Sequence, residues 1–406
     1  MSAGRRWTAA AAAVGVLAAV VVPVLAILAA RTLGDSTTGT LDVPPSTVAR
    51  PAETPGALLV AVDGTEVVGL TAFALAPSGA GGTAVVVPAG SIATVDGFDR
   101  PTRLAAAYTQ AGFDGQVTAT EGLLGVTFSV TEEVDEAGMQ ALFAPLAPIP
   151  VDLPDPVVRT APDGTVLMQL PAGPQELTAE QAAAVLFTRV PNETEYVRLP
   201  DQVAVWTGVV EVSDRVAAPA TEEAPTDVAG FLAAIGAGPR SVVSLTVTPA
   251  LDVVTNPEGI DLLEVDDVDL RILMARILPT AASPTGSGLR VQLVNATGDP
   301  NALREATARL QFVGADVVAV DDGEDVATAA ETSLRYDPSL TQEQVDTLTL
   351  AVGPVVATPA TASIDGVDVT LELGQDFLAF LEAAAEEAAA QEVASTASVA
   401  TSAPGG

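Results

Sequence analysis

The alternation of apolar and polar positions divides the first half of the chain into buried strands and amphipathic helices. Apolar runs that end in turn residues predict strands at 57–64, 70–77 and 83–90. Helical periodicity predicts a short helix at 103–111, part of another at 121–125, an amphipathic helix at 177–188 and a further helix that begins near Glu195. Strands that alternate with helices indicate an α/β layer architecture.

The second half of the chain repeats this alternation on both sides of a linker. The segment 280–288 (TAASPTGSG) has the composition of a linker, and Gly314 ends a helix as a C-terminal glycine does. We therefore predict a large domain at 57–279 and a small one at 289–378, followed by an Ala/Glu helix and a disordered tail at 379–406. The predicted elements are strands at 241–249, 289–295, 315–320, 335–336 and 367–374, and helices at 268–277, 301–312 and 341–350.

The N-terminus carries the longest uncharged stretch of the chain. Arg5 and Arg6 precede a run from Thr8 to Ala30 that lacks any charge, and a bilayer core needs about 20 apolar residues of helix. The positive-inside rule places the arginines in the cytoplasm. We predict a short cytoplasmic tail and transmembrane helix at 1–33, a flexible stalk at 34–56 and an extracytoplasmic body. Cleavage near Ala30 stays open as an alternative.

Charge and composition exclude several classes of function. The chain has 52 acidic residues against 17 basic ones, all of them arginine, and a net charge of −35. This balance excludes a nucleic-acid groove, because few cations could replace the counterions of the phosphates. The absence of Cys excludes disulfides and thiolate metal sites, and the absence of His excludes a Ser-His-Asp triad.

Two arginines at the junction of the predicted helices are the first candidates for ligand binding. Arg189 ends one helix, and Arg198 lies near the start of the next. Guanidinium groups match phosphate oxygens bidentately, so the pair could form an anion clamp. Ordinary ion pairs with Glu193, Glu195 or Asp201 are the alternative.

The C-terminal pattern is similar to the small LytR C-terminal domain. That domain has a strand ending in Asn-x-Thr-Gly, a helix, a Gly-hydrophobic-x-Val-Val strand, an Arg-Tyr pair and a closing strand before Gly-x-Asp-Phe. In this chain we expect Asn295 and Thr297 to close the turn after the first strand of the small domain. The chain carries these landmarks in order at Val291, Leu293, Asn295, Thr297, Gly298, Gly314, Val317, Val318, Arg335, Tyr336, Asp368, Gly374, Asp376 and Phe377.

The large domain resembles the LytR-CpsA-Psr family through a series of landmarks. The family's first strand ends in an aspartate, matched by Asp63, and its Lys-hydrophobic-Asn-Ala-Ala-Tyr helix looks like 103–108. Its Gln-Ala helix resembles 177–189, and its Asp-x-x-Arg-x-x-Arg-Gln segment resembles 195–202, which retains Arg198 and Gln202. The resemblance implies a mixed-sheet α/β domain followed by a small α/β LytR C-terminal domain.

The resemblance also implies a function and a set of site residues. Members of this family hold a polyprenyl-pyrophosphate glycan and transfer it to an envelope acceptor, with arginines on the pyrophosphate and acids on a magnesium ion. It implies that Arg189, Arg198, Arg103 and Gln202 are residual pyrophosphate contacts and that Asp63 is a vestigial metal ligand. As alternatives, Arg103 is a cation on a helix face and Asp63 an ordinary turn residue.

The chain departs from the family pattern at two places that bear on catalysis. The family's Ser-Asp-Thr is Gly69-Leu70-Thr71 here, and its Ile-Pro-Arg-Asp-Thr loop is Val-Pro-Ala-Gly-Ser at 87–91. Magnesium needs oxygen ligands, which the side chains of Leu, Ala and Gly lack. We therefore expect no catalytic residue and no cofactor.

Three hypotheses follow from these observations. The first is a membrane-anchored, non-catalytic binding or scaffold relative of the envelope enzymes, from an actinobacterium, whose partners are a polyprenyl-linked lipid or wall glycopolymer and other envelope proteins. The second is an active magnesium-dependent phosphotransferase that uses Asp96, Asp99 or Arg100 as substitutes. The third is a protein-interaction module that acts through the C-terminal domain. An apolar tunnel beside Arg189 and Arg198 would favour lipid binding, and a tunnel filled by side chains would favour the interaction module.

Overall fold

The computed structural model describes residues 54–161, 163–189, 194–217, 223–250, 261–279, 288–322, 326–362 and 364–386. The chain divides into two compact units, Met1–Val48 and Ala49–Gly406, and all of these ranges belong to the second. Within them, no helix combines the length and apolar character that crossing a membrane requires. The transmembrane helix predicted at 8–30, the stalk up to residue 53, linker residues 280–287 and the tail after residue 386 lie outside the described residues.

The first part of the described chain alternates strands and helices, as predicted for an α/β fold. Its helices are α1 Ala106–Leu124, α2 Glu136–Phe143, α3 Ala179–Phe187, α4 Glu195–Glu211, α5 Val228–Gly236 and α6 Asp267–Ile277, with short 3-10 turns at Ala144–Leu146 and Ser213–Val216. Its strands are β1 Gly56–Asp63, β2 Glu66–Leu75, β3 Gly82–Val87, β4 Ile92–Ala93, β5 Thr102–Arg103, β6 Val130–Val134, β7 Ile149–Leu153, β8 Val157–Thr160, β9 Val166–Leu170, β10 Gly173–Leu177, β11 Arg240–Ser244, β12 Val247–Pro249 and β13 Leu263–Val265.

A five-stranded mixed sheet forms the centre of this part, with the strand order β11-β3-β2-β1-β6. Strand β2 pairs antiparallel with both β1 and β3, whereas β6 and β11 add in parallel at the two edges. Every residue of β1 from Gly56 to Val62 is buried. Both faces of the sheet are therefore covered, which explains why the sequence of β1 reads as a continuous apolar run.

Two helical segments follow β5, as predicted from residues 103–111 and 121–125. They form α1, which begins at Ala106 and is kinked at Gly112, where φ is 68°. Glycine adopts this left-handed conformation without the clash of a Cβ, so the chain can interrupt the helix and resume it. Arg103 lies on the short strand β5 and not on a helix face.

Two further corrections concern strands. The single strand predicted at 241–249 is divided into β11 and β12, which belong to different sheets. The two-stranded sheets β7–β10 and β8–β9 were not predicted. Strand β9 is largely exposed and only Val157 of β8 is buried, so these strands lack the apolar alternation by which a half-buried strand is recognised.

The C-terminal part matches the predicted order of elements, with one strand added. It comprises β14 Leu289–Asn295, α7 Pro300–Phe312, β15 Ala315–Asp321, β16 Ser333–Tyr336, α8 Gln342–Val352, β17 Val356–Pro359, β18 Val369–Leu373 and a last helix, α9, at 375–386. The sheet order is β15-β14-β18-β16-β17. Asn295 accepts a 2.6 Å hydrogen bond from the Thr297 hydroxyl, so this pair closes the turn after β14 as predicted. The unpredicted strand β17 is a short edge strand that ends in Pro359.

Helix α6 contributes side chains to two hydrophobic cores. Leu270 and Met274 belong to the core around the first sheet, whereas Ile272 and Ala275 pack in the core around the second. An amphipathic helix usually buries one stripe of apolar side chains. Helix α6 buries two, one in each core, and therefore connects the two sheets. The domain boundaries at 279 and 289 stay a prediction, and the second core extends back to residue 272.

Polar contacts reinforce this junction. Asp266 caps α6 by accepting hydrogen bonds from the amides of Val268 and Asp269, and it binds Arg304 of α7 at 2.7 Å. The hydrogen bond from the Arg304 guanidinium is the main cause that lowers the pKa of Asp266 below its ordinary value.

The substitution Asp266→Asn tests this contact through its pH dependence. Asparagine keeps the helix cap but loses the ion pair, so at pH 7 we expect the free energy of unfolding to fall by about 0.5–1 kcal/mol. Because the pKa of Asp266 is lowered on folding, the ionic contribution is present above the ordinary aspartate value of about 3.9 and disappears as the pH falls through the folded value. Urea unfolding of both proteins between pH 3 and 7 measures the difference. Asp267→Asn, in the same turn but exposed, should show a smaller and flatter difference; an equal difference in the two variants would contradict the assignment.

Candidate functional site

A buried carboxylate closes the loop that follows β3. Glu195 begins α4 and is 4% exposed. Its Oε1 accepts a hydrogen bond from the amide of Ala89 at 2.7 Å, and its Oε2 accepts one from the amide of Gly90 at 2.5 Å. The amide of Glu195 itself donates to Asp261 at 2.8 Å. Two consecutive amides on one carboxylate have the arrangement of a backbone anion-binding nest.

Two arginines face the same carboxylate. The Nη2 of Arg103 lies 4.0 Å from Oε2 of Glu195, and Arg198 contributes a favourable charge from the next turn of α4. Burial raises the pKa of the Glu195 carboxyl above its ordinary value, and the Ala89 and Gly90 amides and both arginines oppose that rise. The arginines therefore compensate for part of the cost of burying this acid.

The structure gives Arg189 and Arg198 different partners. Arg189 donates to the carboxylate of Glu66 at 3.1 Å and to the backbone oxygen of Val67 at 2.6 Å, at the start of β2. Arg198 is buried and donates to the backbone oxygen of Leu186 at 3.0 Å, at the end of α3. Arg189 thus forms an ion pair, but its partner is Glu66, which is distant in sequence, and not one of the neighbouring acids named in the prediction. Whether these arginines contact pyrophosphate stays a prediction.

Gln202 and Asp63 lie at the same end of the sheet. Gln202 is buried, and its amide nitrogen is 3.5 Å from the backbone oxygen of Val68. Asp63 is exposed at the end of β1 and lies close enough to Arg159 to help raise the pKa of that guanidinium, for which the hydrogen bond to Glu136 is the main cause.

A magnesium ion does not fit the residues beside the loop. Leu70 and Ala89 are buried and have no side-chain oxygen, and both oxygens of the nearby Glu195 carboxylate accept the amides of residues 89 and 90. Nowhere in the described ranges do three or more acidic side chains converge as metal ligands. Of the proposed substitutes, Asp96 lines a separate open cleft of about 640 Å³ between residues 92–101 and α1, and Asp99 and Arg100 are exposed.

Aromatic side chains fill the apolar layer between the sheet and α4. Trp206 is 2% exposed and packs edge-on against Phe73 of β2, with ring centroids 5.4 Å apart, and against Phe143 of α2 at 5.5 Å. Next to Trp206 and Gln202 this layer leaves a cavity of about 10 Å³. Pockets for small ligands usually have about 300–1,000 Å³. The layer is therefore a packed core at this position.

The sequence analysis missed the roles of Glu195 and Trp206. Glu195 was considered only as the start of a helix and as an ion-pair partner, because its contacts with residues 89 and 90 join positions far apart in the chain. A signal was nevertheless present for Glu195, since a Glu with an Arg three positions later places both side chains on one face of a helix. No local signal distinguishes a tryptophan that fills a layer from one that lines a tunnel.

The substitution Trp206→Ala tests how tightly this layer is packed. Removing a fully buried indole leaves a cavity, so we expect the free energy of unfolding to fall by about 3–5 kcal/mol. Urea unfolding followed by circular dichroism measures the change without relying on the lost fluorophore. Tyr196→Ala, on the same helix but 44% exposed, serves as the control and should change stability by about 0.5 kcal/mol or less. A loss of similar size in both variants would contradict tight packing around Trp206.

Comparison with known proteins finds similarity in solved structures. No protein-family model matches the sequence, and no curated protein matches it significantly. Bacillus subtilis TagV is 19% identical, with 54% of this chain and 94% of that chain covered and a TM-score of 0.42. An Actinomyces oris LytR-Csp2A-Psr enzyme is 20% identical, with 57% and 96% covered and a TM-score of 0.41.

A third structure is the LytR-CPS2A-psr family protein YwtF (TagT) with bound octaprenyl pyrophosphate lipid. It is 14% identical, with 57% of this chain and 90% of that chain covered and a TM-score of 0.39. The solved structures to which this chain is similar thus include members of the LytR-CpsA-Psr family, the family that its sequence resembles.

Proposed function

We propose that the chain is a non-catalytic binding or scaffold component of the cell envelope, anchored in the membrane through residues 8–30, with its body outside the cell. The observation that carries the proposal is the loop after β3, where Ala89 and Gly90, together with Leu70 of β2, supply no side-chain oxygen for a metal ion. The layer around Trp206, with a cavity of about 10 Å³, has no room for a polyprenyl chain at that position, which favours the interaction through the C-terminal part that is considered below.

The chemistry of the loop supports the absence of phosphoryl transfer. That reaction depends on positioned cations that neutralise charge on the phosphates. Around residues 89 and 90 this chain offers amide hydrogens that already bind an internal carboxylate, and residues 89 and 90 add no side-chain oxygen for a metal ion. The proposed scaffold therefore contacts a wall glycopolymer or other envelope proteins with its outer surface.

The full chain in detergent, incubated with a polyprenyl pyrophosphate and Mg²⁺, tests the proposal. We expect no release of phosphate above the protein-free background, because the layer around Trp206 is filled and no cluster of acidic metal ligands forms in the part of the chain that the structure describes. Phosphate release is measured directly, and Asp63→Ala provides the matched comparison. Magnesium-dependent release by the unmodified chain that is lost in Asp63→Ala would refute the proposal and support the active-enzyme alternative.

Interaction through the C-terminal part remains the second candidate, supported by two exposed apolar side chains. Phe312 ends α7 and is 92% exposed, and Leu350 on α8 is 82% exposed. Large apolar groups in water contribute nothing to a core, so such residues are candidates for contact with a partner protein.

The double substitution Phe312→Ser, Leu350→Ser separates these roles. We expect stability in urea to change by no more than about 0.5 kcal/mol, since both side chains are exposed. Capture of envelope proteins by the full chain should nevertheless decrease. Phe98→Ser, in the first part of the chain and 44% exposed, is the control. Equal capture by the unmodified chain and the double variant would exclude these two residues as the contact.

A further inference from the structure

The hairpin of β8 and β9 has a free edge. Among the described residues, no strand pairs with the second edge of β9. Val166 and Leu167 of this strand are 55% and 62% exposed. Thr160 pairs with Val166 and Arg159 pairs with Met168, so Leu167 is left unpaired in a β-bulge. A free edge presents backbone N–H and C=O groups to which another extended segment can bind.

The edge strands of the two five-stranded sheets are protected against such binding. They carry charged side chains or a proline, namely Glu132 and Glu133 on β6, Arg240 on β11, Asp316 and Asp321 on β15 and Pro359 on β17. Charges and prolines at an edge oppose the pairing of copies, and a bulge does so in part. Strand β9, with the sequence Val-Leu-Met-Gln-Leu, has the bulge but neither a charge nor a proline. The usual protection is therefore incomplete at this strand.

Strand β8 is better protected than β9. Its Arg159 donates a 2.8 Å hydrogen bond to Glu136 of α2, so this strand carries a charged pair. Val157 and Val158 line a pocket of about 340 Å³ together with Val197 of α4, so a helix lies beside the strand. A hairpin with a single unprotected edge can pair once and then has no such edge left for a third copy.

The charge of the chain indicates which occupant fits the edge of β9. The net charge is −35, so copies of the chain repel each other over most of their surface. Residues 164–175 contain no charged side chain, so this repulsion is weak at β9. An occupant must be extended, uncharged and apolar, and β9 of a second copy has all three properties. Antiparallel pairing about a two-fold axis lets the same strand serve on both sides of the contact.

We propose that two copies of the chain associate through β9, which pairs antiparallel with β9 of the second copy and joins the two hairpins into a four-stranded sheet. Val166 and Leu167 then leave water, and the free backbone groups of the edge form hydrogen bonds. The interface is small, so its Kd is expected in the micromolar range. This inference goes beyond the proposed function and depends neither on catalysis nor on the apolar layer.

Sedimentation of the full chain in detergent tests this association. We expect a dimer whose fraction rises with concentration through the micromolar range. Leu167→Lys should raise the Kd about tenfold or more, because two leucines lose their burial and two lysines approach each other. The added lysine makes the chain less negative, so the change in net charge favours association and cannot produce this result. Val166→Lys is the second variant, and circular dichroism verifies that both variants are folded.

Val356 provides the matched control. It is 58% exposed on β17, and Val356→Lys adds the same charge, so this variant should keep the Kd of the unmodified chain. Because the chain has no Cys, an introduced cysteine is its single thiol. Leu167→Cys should form a disulfide-linked dimer when an oxidant is added, and Val356→Cys should form far less of one.

Three results would overturn the dimer through β9. The first is a chain that sediments as a monomer throughout the micromolar range, which would leave the edge to a strand of another protein. The second is a dimer whose Kd is the same in Leu167→Lys and Val356→Lys, as a contact through residues 8–30 would give. The third is equal cross-linking of the two cysteine variants. Release of phosphate from a polyprenyl pyrophosphate would refute the proposed function and leave this dimer unaffected, so the two failures are distinguishable.

Discussion

The contact between the Glu195 carboxylate and the amides of residues 89 and 90 fixes the geometry of the whole sheet edge around the site. It ties the loop after β3 to the first turn of α4, although 106 and 105 positions separate the bonded residues. From that first turn, α4 carries Arg198 toward the end of α3, and Gln202 and Trp206 toward the sheet. The loop, the two helices and the filled apolar layer therefore depend on one buried acid.

Side chains of the chain itself occupy both the loop after β3 and the apolar layer. A carboxylate of the chain faces the amides and arginines, and an indole fills the layer beside them. Buried charges are tolerated when hydrogen bonds and opposite charges compensate them, and Glu195 has both.

The junction between the two sheets adds a second constraint. Helix α6 buries residues on two sides, and its N-terminal cap is also the ion-pair partner of α7. A fragment cut at residue 286 would leave Ile272 and Ala275 behind and expose the part of the second core that they cover. Experiments on partner binding therefore require the full chain, because part of the hydrophobic core around the C-terminal sheet comes from α6.

The sequence by itself determined the α/β class, most strands and helices, and the absence of side-chain oxygens at Leu70, Ala89 and Gly90, because periodicity and side-chain chemistry are local properties. It also supplied the resemblance to a family through short ordered motifs. Only the tertiary structure decided that Arg189 pairs with Glu66, that Glu195 binds the amides of residues 89 and 90 and that Trp206 fills the apolar layer. These contacts join residues distant in the chain, and their geometry depends on how helices pack on the sheet, which no local pattern encodes.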